Sequence, residues 1–188
     1  MTSPLTRRSA LLAGLALTAC AGSGSQLLSG DDQRDVARVE AWLNEQPSLK
    51  LLFSQTFPDG GTGSGVMSYV PGNFRLDYTI PHGMTLVAGD GHLVLTNPQN
   101  GAVTRMGLSH TPLGLLLAQP VRLSGPVTVT SVRHAPGTLQ ISLAKTDRMS
   151  DGLLTLQFTD SPGELALSGI VLVDDRQHVT TLRIEGPG

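Results

Sequence analysis

A chain of 188 residues gives room for one domain with a sizeable core plus a targeting segment, and nothing in it argues for two domains. The formal net charge is -2, Lys and Arg are scattered without forming a basic patch, and aromatic residues make up only 4%. Together these argue against nucleic-acid binding, whether by phosphate contacts or by base stacking.

Residues 1–21 have the anatomy of an export signal. Arg7-Arg8 supply a positive start, and the apolar run from Ala10 to Ala19 is too short to span a bilayer, which takes roughly 20 residues. The mature protein is therefore expected outside the cytoplasm. The stretch Thr6 to Leu12 fits a twin-arginine signal as well as a general secretory one. Cys20 is the sole cysteine, so no intramolecular disulfide forms. Leu17-Thr18-Ala19-Cys20 looks like a bacterial lipobox, which would lipidate Cys20 and hold the protein at a membrane surface. The same letters also read as an Ala19-Cys20-Ala21 cleavage site, which would discard the cysteine. Residues 22–30 are expected as a flexible tether and residues 31–188 as a single folded domain.

Asp31 to Gln46 is expected to be a helix, capped by Ser29 or Asp31 and stopped by Pro47. Val36, Val39 and Leu43 form its apolar stripe, with Trp42 at the edge as a packing residue. From Leu49 to Phe57 the chain alternates, placing Leu49, Leu51, Phe53 and Phe57 on one strand face. Pro58 to Gly65 is expected as a loose glycine-rich connection; it matches neither a P-loop nor a dinucleotide fingerprint. Between Gly65 and Pro98, four alternating runs are parted by Pro71-Gly72-Asn73, Pro81-His82-Gly83 and Gly89-Asp90-Gly91, the pattern of a β-meander. Phe74, Leu76 and Tyr78 share a face, as do Met84 and Leu86, Leu93 and Leu95, Leu139, Ile141 and Leu143, and Leu154, Leu156 and Phe158. Summed, this is more apolar surface than one helix of about four turns covers. Thr111 to Gln119 adds a short helix or turn, apolar nearly all round through Leu113, Leu115, Leu116 and Leu117. Such a segment is either buried on several sides or closes an apolar cavity as a lid.

Chemistry of the catalytic kind is absent from these patterns. His82, His92, His110, His134 and His178 have no histidine partner at metal-ligand spacing, no Gly-x-Ser-x-Gly elbow occurs, and Asp90, Asp174 and Asp175 fall in hairpin turns. No enzyme, metal or cofactor is expected.

Several stretches, in order, resemble the periplasmic lipoprotein-carrier family, LolA. They are Phe53-Ser54-Gln55, Pro71 to Tyr78 with Pro81 beyond it, Val87 to Gly91, Thr111 to Leu116, Leu154 to Phe158, and Val173 to Leu182. The likeness runs over about residues 30–185. It implies a mainly β (α+β) fold, in which a strongly curved antiparallel sheet forms an incomplete β-barrel under a helical lid. It also implies a periplasmic carrier, not an enzyme, that binds lipoprotein acyl chains and delivers them to the outer membrane. The partners implied are an inner-membrane ATP-driven lipoprotein release complex and an outer-membrane receptor. On this reading the lipid cavity draws on Phe53, Met67, Phe74, Leu76, Tyr78, Met84, Leu86, Leu93, Leu95, Leu115 and Leu116. Met67 and Met84 are flexible thioethers suited to varied chains.

The chain departs from the family pattern at Val70, where many carriers have an arginine that holds the lid. Arg75 is the candidate to take over that latch. Lipidation of Cys20 would point instead to a LolB-like anchored receptor of the same fold. A third reading is a structural or interaction lipoprotein whose sheet is fully closed by its helix.

Overall fold

The computed structural model describes residues 28–188. The expected export signal, Cys20 and most of the expected tether lie outside the described residues.

Helix α1 (Gly30–Glu45) begins one residue earlier than the sequence suggests, because Ser29 and Asp32 form a reciprocal cap. The Asp32 amide donates to the Ser29 hydroxyl at 3.1 Å while the Ser29 amide donates to the Asp32 carboxylate at 3.0 Å, satisfying donors that a helix start leaves open. Gln46 is extended, as the residue before a proline prefers to be, and the helix stops there. Val39 and Leu43 are buried on the inward stripe, with Val36 and Trp42 packed beside them.

Eleven strands follow: β1 (Leu49–Thr56), β2 (Thr62–Val70), β3 (Asn73–Ile80), β4 (Thr85–Gly89), β5 (His92–Asn97), β6 (Ala102–Gly107), β7 (Val127–Ala135), β8 (Thr138–Lys145), β9 (Gly152–Ser161), β10 (Glu164–Asp174) and β11 (Val179–Pro187). They form one sheet in the order β6-β5-β4-β3-β2-β1-β11-β10-β9-β8-β7, every neighbouring pair antiparallel. The chain thus starts at the middle of the sheet, walks outward to the β6 edge, reappears at the opposite β7 edge and walks back until β11 pairs with β1. Since β6 and β7 do not pair, the barrel stays incomplete, as the family resemblance implies.

One consequence of this order places the site. Residues 108–126 carry the chain from the β6 edge to the β7 edge as a strap over the inner face, with Leu116 reached by Tyr69 of β2 and its neighbours packed on β8, β9 and β10. Expected as a short helix or turn, the strap holds two 3-10 turns, Leu108–His110 and Pro112–Leu116. Among the described residues, the cover of the sheet is therefore one α-helix and a strap, where the resemblance implies a helical lid.

The hairpins show the turn chemistry read from the sequence. Asp90 and Gly91 have φ of 48° and 75°, and with Gly89 paired to His92 they make a two-residue loop whose central residues both need positive φ. The connection expected over Pro58 to Gly65 is shorter than that, because β2 already starts at Thr62. Gly63 and Gly65 are strand residues whose missing side chains leave room for neighbours. A Cβ on Gly65 would lie 2.0 Å from the Asp77 carbonyl oxygen, and one on Gly63 would lie 3.1 Å from both the Phe57 and Tyr78 rings. Gly65 pairs with Phe53 on one side and Tyr78 on the other, and those two rings meet edge to face at 5.3 Å.

Candidate functional site

Side chains directly opposite one another on paired strands share a face, so the register alone assembles the concave surface. Leu51, Met67, Leu76, Leu86 and Leu95 form one row across β1 to β5. Leu49, Tyr69, Phe74, Ala88, Leu93 and Met106 form the next, reaching β6. On the other side of β1, where Leu182 of β11 lies opposite Gln55, further rows run through Leu182, Ile170, Leu156 and Ile141, and through Leu172, Leu154 and Leu143.

All the sequence-derived cavity candidates on strands lie on this one face. Phe53, Met67, Phe74, Leu76, Tyr78 and Leu93 are buried there, and Leu86 and Leu95 are half-buried. Met84, in the turn before β4, is buried with them, and Leu115 and Leu116 meet them from the strap. Residues missing from that set are as prominent: Ile141, Leu154, Leu156, Phe158 and Ile170 are all at most 2% exposed. Their strand alternation is visible in the sequence, but nothing there says that the second half of the sheet curls toward the same hollow.

Three polar side chains sit within this apolar set. The Tyr78 hydroxyl donates to the Gln55 side-chain oxygen at 2.6 Å, and burial raises its phenol well above the ordinary range. Tyr69 donates to the Leu116 carbonyl at 3.2 Å, with the Leu43 carbonyl a second acceptor at 3.4 Å, so its ring joins sheet, strap and helix. Burial pushes the Tyr69 phenol up to about 12, which keeps it a neutral donor under physiological conditions. A face built this way offers dispersion contacts and a few hydroxyls, with no acid and base pair poised for proton transfer.

The cover is fastened by polar contacts that the sequence does not reveal. Asn44 on α1 grips the backbone of Val121 from both sides, accepting from its N–H at 2.9 Å and donating to its carbonyl at 3.0 Å. One turn earlier, Glu40 accepts from the Leu123 amide at 2.7 Å and from Arg122 at 3.3 Å. Gln119 donates to the Pro71 carbonyl, tying the strap to the β2–β3 turn. Arg38 reaches Asp160 on β9 at 2.7 Å and holds that carboxyl below its ordinary range. Arg75, the expected latch, is placed elsewhere. It projects from the outer face of β3, opposite to Phe74 and Leu76, and its guanidinium is bidentate on Asp77 at 2.5 and 2.7 Å. The alternation of β3 explains the difference: a residue between two inward neighbours points outward.

With the cover in place the hollow is full. The void at its centre, between Trp42, Leu43, Met67, Tyr69, Phe74 and Leu156, is about 10 Å³. That is near the smallest space able to hold one water. Among the described residues, no helix is long and apolar enough to cross a membrane.

Among solved structures, the chain is similar to an uncharacterized conserved protein from Thermus thermophilus, with 8% identity, 82% of this chain and 85% of that one covered, and a TM-score of 0.44. It is similar to a LolA superfamily protein from Nitrosomonas europaea, with 12% identity, coverage of 81% and 90%, and a TM-score of 0.41. Lipoprotein LppX of Mycobacterium tuberculosis follows at 8% identity, coverage of 82% and 94%, and a TM-score of 0.38. A search of curated protein sequences finds no match. The sequence profile of the family described as outer membrane lipoprotein carrier protein LolA, by contrast, matches residues 45–187, from the end of α1 to the last strand. This chain belongs to the LolA family.

Proposed function

We propose that the protein is a carrier that takes the acyl chains of lipoproteins into the concave face of its half-barrel and delivers them to the outer membrane. The observation that supports this best is the construction of the hollow. A mainly apolar face, broken only by Gln55 and two tyrosine hydroxyls, runs across both halves of the sheet, and it is closed by a cover held to the sheet through a short set of polar contacts. A void of about 10 Å³ admits no acyl chain, so the cover moves when cargo binds. A dozen buried methylenes would contribute on the order of 10 kcal/mol gross, at about 0.8 kcal/mol each, enough to displace side chains that now fill the space.

Phe53, Met67, Phe74, Leu76, Tyr78, Met84, Leu86, Leu93, Leu95, Leu115 and Leu116 are the chain-contacting residues on this reading. The protein works in the periplasm after export, receives cargo from an inner-membrane release complex and passes it to an outer-membrane receptor. Catalysis has no part in this cycle.

The filled hollow also favours a second reading, a structural lipoprotein whose core never opens. Displacement of a fluorescent apolar dye by a diacylated lipopeptide separates the two. The carrier reading expects saturable dye uptake and its competition by lipopeptide; absence of uptake at any dye concentration would leave the closed-core reading. Mass spectrometry of the mature N-terminus decides between a soluble shuttle and an anchored receptor, since an acylated Cys20 excludes the shuttle.

A further inference from the structure

Where the barrel fails to close, the strap leaves β6 at Leu108 and enters β7 at Val127, and a groove of about 760 Å³ opens along this seam. That volume lies within the roughly 300–1,000 Å³ of small-molecule sites. Its floor is apolar and continuous with the core: Leu108, Leu115 and Val127 are exposed by 8%, 7% and 7% and belong to the same cluster as the concave face. Gly114 makes the approach possible, since a Cβ there would lie 2.6 Å from the Leu108 carbonyl oxygen.

The rim is cationic. Arg122, Lys145 and Arg148 line it, with Asp147 the one acidic lining residue. Lys145 is structural: its ammonium donates to the Ser109 carbonyl across the seam and pairs with Asp151 at 3.1 Å. The two arginines are held loosely. Arg122 meets Glu40 at 3.3 Å and Arg148 meets Asp147 and Asp151 at 3.4 and 3.5 Å, while their side chains are 65% and 47% exposed. Exposed pairs of this length are weak and exchange readily for a better anionic partner, above all one that accepts a guanidinium fork. A contrast is the depression of about 600 Å³ beside Asp31, Asp32 and Asp35, whose carboxylates are matched by Arg34, Arg38 and His134.

We propose that the seam groove is a binding site for an anionic phospholipid. The acyl chains lie over Leu108, Leu115 and Val127, directed toward the concave face, and the phosphodiester sits between Arg122 and Arg148. This rests on the reading of the concave face as an acyl-chain site, and it adds a class of cargo or exchange partner with a charged headgroup.

The test uses the purified protein with fluorescent-tailed phosphatidylglycerol and phosphatidylcholine of identical chains, beside the dye and lipopeptide assay above. Phosphatidylglycerol is expected to bind about tenfold more tightly, and the preference to shrink at high salt. Arg148→Gln, at a residue that takes no part in fastening the cover, is expected to weaken that preference while keeping wild-type melting and wild-type lipopeptide competition, and the double variant Arg122→Gln, Arg148→Gln is expected to lose it. A second variant, Ala118→Trp, fills the groove from an exposed strap position and is expected to weaken both phospholipids. Equal binding of the two lipids, an unchanged preference in the double variant, or binding of lipopeptide with no binding of either phospholipid each overturns the proposal. Failure of every acyl ligand overturns the carrier reading along with it.

Discussion

The two halves of the sheet have similar strand counts and opposite characters. In β8 and β9 the inward side chains are sealed: Leu139, Ile141, Leu143, Leu154, Leu156 and Phe158 are all at most 1% exposed. On the other side the burial of inward side chains fades with distance from β3, through half-buried Leu86 and Leu95 to β6, where Met106, opposite Leu93, is 43% exposed. The cover causes this asymmetry. The Pro112–Leu116 turn packs on β8, β9 and β10, Trp42 meets Phe158 edge to face at 5.2 Å, and Arg38 ties α1 to Asp160. Tight packing is thus concentrated in one flank and thins toward the β6 edge, where local opening costs least and where the proposed carrier would open for cargo.

Truncation in the two flanks should break or sustain that contrast most visibly. Phe158→Ala removes a sealed ring with its Trp42 contact and should cost about 3–5 kcal/mol in denaturant unfolding. Leu95→Ala, on the half-buried side, should cost only about 1 kcal/mol. Equal losses would mean that the two flanks fold as one equally packed body.

A charge placed on the thin flank tests function with little risk to the fold. Leu76 and Met84 are too deeply buried for this, at 2% and 6% exposure, since an unpaired carboxylate there would threaten the native state itself. Leu95→Glu can keep its carboxylate near water, so the variant should fold while dye and lipopeptide affinity fall about tenfold or more, a loss of roughly 1.4 kcal/mol or greater. Unchanged affinity would move the acyl site away from β5 and toward the sealed flank.

How far the sequence foretells this arrangement follows from which forces are local. Strand alternation and turn residues are local, so the meander from β2 to β5, the Asp90-Gly91 hairpin and the shared face of Phe74, Leu76 and Tyr78 are readable. The ordered motifs from Phe53 to Leu182 also lead to the family. Gly63 and Gly65 read as loop because glycine in a strand makes sense only once Phe57 and Tyr78 occupy the space beside it. The latch escapes the sequence for a related reason. Asn44 lies near the end of a helix and Val121 lies 77 residues on, and a carboxamide gripping a distant backbone leaves no periodic trace. Arg75 stands out only by analogy, although its position between two inward residues already points it outward.

The Asn44 clasp gives a smaller and more specific prediction. Asn44→Ala leaves the Val121 N–H and carbonyl without partners at a residue that is fully buried, which should cost about 1–3 kcal/mol. Because the clasp joins helix to strap, the variant should also take up apolar dye faster than the wild type. Slower or unchanged uptake with the expected loss of stability would show that helix and strap open together as one piece, fastened to the sheet by other contacts.

The smallest effect expected is at the ion pair between Arg38 and Asp160, which ties the cover to the sealed flank at 2.7 Å. The Arg38 hydrogen bond holds the Asp160 carboxyl below its ordinary value of 3.8. A carboxyl depressed by folding adds stability above its unfolded value, and that stability disappears as the pH falls through the folded value. Asp160→Asn should therefore lower stability by about 0.2–1 kcal/mol at neutral pH, since both partners are partly exposed to solvent. Below pH 3.8 the difference from wild type should close, as protonation removes the same charge that the substitution does. Unfolding curves of the two proteins across the acid range decide the matter. A difference that persists in acid would assign the loss to packing or to the contacts of Asp35 with Arg38 at 2.7 Å and with His134 at 3.5 Å, and would remove this pair from the contacts that bind the cover to its stable flank.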